Sequence, residues 1–286
     1  MGSPDITHFV TRVAEQGSAL YRDLPWRDTR DPYGVLVSEV MLQQTQVARV
    51  VGRWEAWLEE FPTPDALAAA PLEPVLRAWQ GLGYNRRAVA LKRAAEEVSS
   101  RLGGVLPDDE AGLRSLPGIG PATAAGVLAF AFDRPVVYLE TNVRAVALYE
   151  LFADRDGVAD REIVPLLATA VDEALRQGIG PRAWYYALLD YGADLKRTLP
   201  NPSRRSAHHA PQSPFEGSRR QKRAWLLRAV MAEPGLGAHE YADALASVEA
   251  AAGRPAPSVP DVAGILADLA QDGFLQRGDD IWLLAE

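Results

Sequence analysis

The segment Leu116-Pro117-Gly118-Ile119-Gly120 constrains this chain more than any other. A helical pattern over residues 108–115 runs into it, and an alanine-rich helical pattern over 121–132 leaves it. Two glycines one residue apart let the backbone turn sharply and come close to a ligand. The N–H groups of the turn and of the next helix's first residues then point outward together, an array that favours a phosphate. A tight αα-turn that binds nothing carries the same Pro-Gly-x-Gly string. The helices on both sides, with the apolar Leu116 and Ile119 in place, favour the anion reading.

Around that turn the pattern from residue 5 to about 200 is helical. Apolar positions recur at three and four residues, as in Val35-x-x-Ser38-Glu39-Val40-x-Leu42, and from Ala66–Ala70 into Val75, Leu76 and Trp79. Pro62, Pro64, Pro71, Pro74 and Pro107 fall where helices are expected to start, since a missing N–H costs nothing there. Residues 136–139 form a short apolar run that reads as an extended lead-in to a helix. Residues 198–218, rich in proline, serine and basic side chains, read as an extended connector. The last residues form a separate unit. Helical periodicity over 219–231, 239–252 and 262–270 is followed by 274–277 and 281–284 around Gly278-Asp279-Asp280, a short β-hairpin. Three helices and a hairpin suggest a winged-helix-like module.

The chain has 286 residues, 48% hydrophobic and 24% charged, the balance of a globular protein with a real core rather than of a disordered chain. It has no cysteine, which excludes disulfides, thiol nucleophiles, iron–sulfur clusters and Cys-ligated zinc. None of His8, His208, His209 and His239 stands in a metal-binding frame, so neither a metal nor another cofactor is expected. No apolar run approaches twenty residues and no leader pattern opens the chain. A cytoplasmic monomer with no membrane partner is therefore expected. The net charge of −8 disfavours a generic nucleic-acid binder. The average conceals a reversal: between Leu195 and Arg223 eight basic residues face only Glu216, so this segment carries +7 and the remainder −15. Such a strip is either a solvated linker or a surface that meets phosphates.

Two carboxylates complete the chemistry. Glu39 lies in Ser38-Glu39-Val40-Met41-Leu42-Gln43-Gln44-Thr45-Gln46-Val47, a helix otherwise rich in apolar residues, downstream of Leu24-Pro25-Trp26-Arg27. On a solvent face it would be ordinary. On an apolar wall its pKa would rise, and it could hold a proton for a leaving base near neutral pH. Glu140, in Leu139-Glu140-Thr141-Asn142-Val143-Arg144, follows the glycine turn by about twenty residues, so the chain can return near that turn.

These segments, in this order and spacing over roughly residues 5–197, resemble the HhH-GPD superfamily of DNA glycosylases, and in it the MutY adenine glycosylase branch above all. The resemblance implies a mainly α fold of two helical domains, one at 28–135 with a helix-hairpin-helix, the other joining 1–27 to 136–197. The winged-helix-like module at 219–286 follows. It implies double-stranded DNA with a damaged or mispaired base as partner, and a base flipped out of the stack. Glu39 would protonate the departing base and Glu140 would stabilise positive charge on the sugar. Gln44 matches the residue that wedges into the stack. The implied DNA-contacting set is Arg27, Gln44, Tyr84, Asn85, Leu116, Pro117, Gly118, Ile119, Gly120, Ala122, Thr123 and Asn142, with Arg204 and Arg205 from the basic strip. Trp54, Trp57, Trp79, Trp184, Tyr185 and Tyr186 are expected in the core.

The chain also departs from the pattern. Ala122 stands where the bifunctional branch has its Schiff-base lysine, so no lyase activity is expected. Glu140 replaces an aspartate, cysteines for a cluster are absent, Asn85 replaces a tyrosine, and the tail is shorter than the branch's lesion-reading domain. Adenine opposite 8-oxoguanine or guanine is the first expectation. A damaged or deaminated pyrimidine or mispaired thymine is an alternative, and so is a helix-hairpin-helix protein that binds DNA without catalysis.

Overall fold

A computed structural model describes residues 4–208 and 214–285. Part of the expected connector, 209–213 with His209, lies outside the described residues, as do residues 1–3 and 286. The fold is mainly α. In chain order the helices are α1 (Ile6–Ala19), α2 (Pro32–Leu42), α3 (Val47–Val50), α4 (Arg53–Glu60), α5 (Pro64–Ala69), α6 (Leu72–Ala78) and α7 (Arg86–Leu102). They continue with α8 (Glu110–Ser115), α9 (Pro121–Phe130), α10 (Thr141–Glu150), α11 (Asp160–Arg176), α12 (Pro181–Thr198), α13 (Arg219–Ala232), α14 (Ala238–Ala251) and α15 (Val259–Gln271). The strands β1 (Leu275–Arg277) and β2 (Trp282–Leu284) close the chain. Among the described residues no helix is long and apolar enough to cross a membrane.

The chain divides into two compact units. The first is Met1–Glu60 with Glu97–Pro211; the second is Phe61–Glu96 with Gln212–Glu286. Residues 61–96, read from the sequence as part of a 28–135 domain, are thus grouped with the C-terminal residues.

In the first unit α2 packs on α9, and α10 and α1 both pack on α12. Helices α2 and α9 are apolar nearly all round, which makes them core helices rather than surface ones. Asp31 caps α2 by accepting from the N–H groups of Tyr33 and Gly34, and Pro32 supplies the preset φ of the first turn. Helix α12 approaches α10 closely because Gly192 lacks a β-carbon where the backbone carbonyl of Asn142 lies. Of the prolines expected at helix starts, Pro64 opens α5, Pro71 caps α6 and Pro74 sits in its first turn, whereas Pro62 and Pro107 stay in the preceding loops.

The expectation of an unstructured connector needs correction. Pro202–Arg205 is a 3-10 turn, Pro202 and Ser203 are buried, and Ser206 bridges in parallel to Val158. The Ser203 hydroxyl donates to the Thr141 carbonyl, and Arg205 reaches three carbonyls near the end of α10. Hydrogen-bond partners from α10 order this stretch against its composition.

In the second unit α13, α14 and α15 pack together, and β1 pairs antiparallel with β2, Leu275 opposite Leu284 and Arg277 opposite Trp282. Leu236 adds a bridge to Trp282, giving the hairpin a third partner. Three helices with this wing match the winged-helix-like expectation. Its core holds Leu226, Leu227, Val230, Tyr241, Leu245, Val262, Ile265, Leu266, Leu269, Phe274 and Trp282.

Candidate active site

Within the first unit a cavity of about 450 Å³ opens between α2, α9, the start of α10 and the middle of α12. Both carboxylates singled out in the sequence line it. Glu39 is the one charged residue of α2. It keeps intermediate exposure because the cavity opens onto it, yet desolvation is the largest influence on its carboxyl. Burial, with a smaller push from the Glu140 charge, raises its pKa to about 8, against a single hydrogen bond that lowers it. That bond comes from the Tyr138 hydroxyl, which donates to Oε2 at 3.1 Å. On the other side Oε2 rests on the bare backbone of Gly126 in α9.

Glu140 is the N-cap of α10. Its Oε1 accepts from the backbone N–H groups of Asn142 and Val143, the latter at 2.8 Å. Asn142 stands between carboxylate and cation: its Nδ2 donates to Glu140 Oε2 at 3.4 Å, and its Oδ1 accepts from Lys196 Nζ at 2.9 Å. Desolvation raises the Glu140 pKa, and the Val143 N–H, Lys196, the Asn142 N–H and Arg144 all pull it down. Of the two carboxyls, Glu140 has helix N–H donors and cations around it, while Glu39 has one phenol. A proton shared in this cavity therefore belongs on Glu39 and the negative charge on Glu140.

The glycine turn has the expected form. Gly118 adopts φ +76°, the Ile119 N–H closes on the Leu116 carbonyl, and Gly120 caps α9 with extended backbone. Gly118, Gly120 and Ala122 are exposed at this end of α9 and Pro117 is half-buried. Of the turn residues expected at DNA, Leu116, Ile119 and Thr123 have buried side chains. Leu116 and Ile119 anchor the turn, and the Thr123 hydroxyl accepts from Gln43 Nε2, tying the end of α2 to the start of α9. Gln44 is exposed at the cavity with φ +53°, a left-handed conformation uncommon for a residue with a side chain.

Arg27 is the clearest correction. It is 5% exposed, its two terminal nitrogens donate to Asp190 at 2.8 and 2.7 Å, and one also reaches the Arg22 carbonyl. An arginine held this way positions the loop before α2 and has little left for a phosphate. Arg205 is corrected for the same reason, since its guanidinium is taken by the carbonyls of Leu148, Phe152 and Ala153. Arg204 is exposed. Tyr84 and Asn85 belong to the second unit. There Tyr84 is exposed with φ +48°, its hydroxyl accepts from Arg220 at 3.3 Å, and the Asn85 carbonyl takes the N–H groups of Ala88 and Val89 in the first turn of α7.

Sequence reasoning missed Tyr138, Lys196 and Tyr186. Tyr186 was expected in the core; it lines the cavity, stacked on Phe130 at 4.7 Å with Arg27 over its ring. Trp54, Trp57, Trp79, Trp184 and Tyr185 are buried as expected. A signal for Tyr138 existed: it lies two residues before Glu140 in extended chain, where alternate side chains share a side. Lys196 was counted in the basic strip between Leu195 and Arg223, and nothing there signalled its bond to Asn142.

Residues 37–169 match the family described as HhH-GPD superfamily base excision DNA repair protein. Over 140 residues the chain is 47% identical to an adenine DNA glycosylase of Mycobacterium tuberculosis, covering 49% of this chain and 46% of that one. It is 39% identical over 123 residues to a thymine/uracil-DNA glycosylase of Pyrobaculum aerophilum, covering 43% and 54%. The solved structure of a thermostable thymine-DNA glycosylase superposes with TM-score 0.58 at 24% identity, over 66% of this chain and 86% of that one, a likeness of fold. The chain spans about half the length of the curated relatives it matches.

Proposed function

From a chain whose residues 37–169 match the HhH-GPD superfamily, we propose a monofunctional DNA N-glycosylase that removes adenine from a mispair in double-stranded DNA. The observation that carries this reading is the division of charge between Glu39 and Glu140 across one cavity. The target nucleotide leaves the stack and enters the cavity, with Gln44 at its rim and the N-terminal N–H groups of α9 available to a phosphate. Glu39 gives its proton to a ring nitrogen of the base as the bond from base to C1′ breaks, and the bonding electron pair leaves with the base. Positive charge on the sugar is balanced by the Glu140 carboxylate, whose charge its helix N–H groups and Lys196 favour against burial. Water then adds to C1′ and its proton passes to Glu39. Ala122 offers no amine for a Schiff base, so an intact abasic strand is the product.

Adenine is favoured by the name of the Mycobacterium tuberculosis relative, and 8-oxoguanine or guanine is the opposite base proposed. A mispaired thymine or a uracil is the second reading, favoured by the Pyrobaculum aerophilum relative and the thymine-DNA glycosylase fold. The test is a panel of duplexes, each with one mispair or modified base, incubated with protein and then with hot alkali. Alkali-dependent cleavage at adenine opposite 8-oxoguanine, lost in Glu39→Gln, is the expected result. Cleavage at another base replaces the substrate; none anywhere in the panel leaves a DNA-binding protein without catalysis; nicking without alkali overturns the monofunctional assignment.

A further inference from the structure

Tyr138 is the one side chain seen to hydrogen-bond Glu39 among the described residues, and its own position is over-determined. It is 6% exposed. Its N–H donates to the Tyr185 hydroxyl at 2.9 Å, and that hydroxyl donates to the Val136 carbonyl at 2.6 Å. Its ring stands edge-on between Phe130 at 5.5 Å and Tyr185 at 5.4 Å. A side chain with this support has one rotamer, and its hydroxyl is delivered to one oxygen of one carboxyl.

We propose that Tyr138 is a positioning residue that assigns the two oxygens of Glu39 separate tasks: Oε2 accepts the phenol, and Oε1 carries the proton delivered to the base. The inference rests on the glycosylase reading. Oε2 is enclosed by the Tyr138 hydroxyl and by the Gly126 backbone, so Oε1 is the oxygen these neighbours leave. In a neutral carboxyl the proton-free oxygen is the acceptor, so a fixed phenol donor selects Oε1 for the proton. As that proton passes to the base nitrogen, Glu39 becomes an anion and the Tyr138 bond becomes charge-assisted, roughly twice as strong as a neutral one. The interaction thus strengthens along the reaction, which is the condition for it to speed the chemical step. Burial and the two carboxylates push the Tyr138 phenol well above its ordinary pKa, so it stays a donor wherever the enzyme works.

Other groups face Glu39 as well. Glu140 comes from the start of α10, with Lys196 and Arg144 acting on it, and Tyr186 comes from α12; α9 contributes only the Gly126 backbone at Oε2. None of them donates to Glu39 in the structure's hydrogen bonds, so they set a background that Tyr138→Phe leaves in place.

The test is Tyr138→Phe, which keeps the ring and removes the donor. Single-turnover excision at neutral pH is expected to fall about ten- to a hundredfold with DNA affinity unchanged. The alkaline limb of the profile, set by loss of the Glu39 proton near pH 8, is expected to move upward, because the lost bond was holding that pKa down. A residue needed only for packing would lower the rate and leave the limb in place, and an unmoved limb overturns the proposal. 3-Fluorotyrosine at 138, a stronger donor in the same shape, should move the limb the other way. A carbon-13 titration of the Glu39 carboxyl in wild type and Tyr138→Phe reads the same shift without turnover. It separates failure of this assignment from failure of the glycosylase reading, which the duplex panel decides.

Discussion

The carboxyl of Glu39 occupies the space that a side chain on Gly126 would fill. A β-carbon at Gly126 would overlap Oε2 and crowd the carboxyl carbon. The glycine is therefore the floor of the acid's seat, although glycine in a helix interior is otherwise a cost of roughly 0.5–1 kcal/mol. Gly126→Ala should leave the fold intact, since the clash falls on the end of a flexible side chain and alanine favours the helix. Excision should fall by about a hundredfold or more, the scale of a lost general acid, with thermal denaturation little changed. Wild-type excision in this variant would show that the carboxyl does not work from that seat.

Glu39 also links stability to pH. Its folded pKa, about 8, stands above the 4.5 of an ordinary glutamate, so the folded state holds a proton that the unfolded chain has released. The stability it contributes is complete below about pH 4.5 and is lost as pH rises through 8. Glu39→Gln has no proton to lose, so above pH 8 it should be the more stable protein, by on the order of a few kcal/mol. Denaturant midpoints at pH 6 and pH 9 check the sign. The same substitution should abolish excision at both.

Arg27 and Asp190 form a buried ion pair with both side chains almost fully enclosed. Asp190 also receives the Arg22 side chain and its backbone N–H. Asp190→Asn removes the anion from beside a buried cation and should cost about 3–5 kcal/mol. Urea unfolding measures it. A neutral outcome would mean that Arg27 finds another anion and that its burial is less binding than the geometry indicates.

Arg204 and Arg205 are neighbours with opposite expected phenotypes. Arg204→Ala removes an exposed cation and should reduce the slope of log Kobs against log salt for DNA binding by about 1. Arg205→Ala strips three carbonyls near the end of α10 of their donor and should lower the melting temperature instead. Salt titrations and melting curves of both variants separate the two roles.

Glu140→Gln keeps an oxygen to cap α10 and removes the charge. Stability should change by less than about 1 kcal/mol, while single-turnover excision should fall about 10²–10³-fold, the scale for losing one electrostatic stabiliser at a developing charge. Circular dichroism against excision rate makes the comparison. A small kinetic effect would shift the balancing of sugar charge to another group.

The glycine turn, the run of helices, the hairpin wing and both carboxylates were legible in the sequence, because each depends on residues within a few turns of one another. Asp31 capping α2 and Gly118 at positive φ need no distant partner. The failures share a cause too. Residues 198–206 look unstructured by composition, yet α10 supplies their hydrogen bonds. Arg27 and Arg205 look like phosphate ligands because an arginine in a loop gives no sign of whether an acceptor waits beneath it.

The sequence by itself determined the helical class, the turn that opens α9, one carboxyl in an apolar helix and a second about twenty residues after the turn. Periodicity, capping and the φ freedom of glycine are local properties of the chain. Only the tertiary structure decided which carboxyl holds the proton. That choice rests on the burial of Glu39, which outweighs the bond from Tyr138 99 residues away, and on a lysine 54 residues from the asparagine that joins it to Glu140. A pKa is set by the solvation and charges around a group in space, and chain order does not record them.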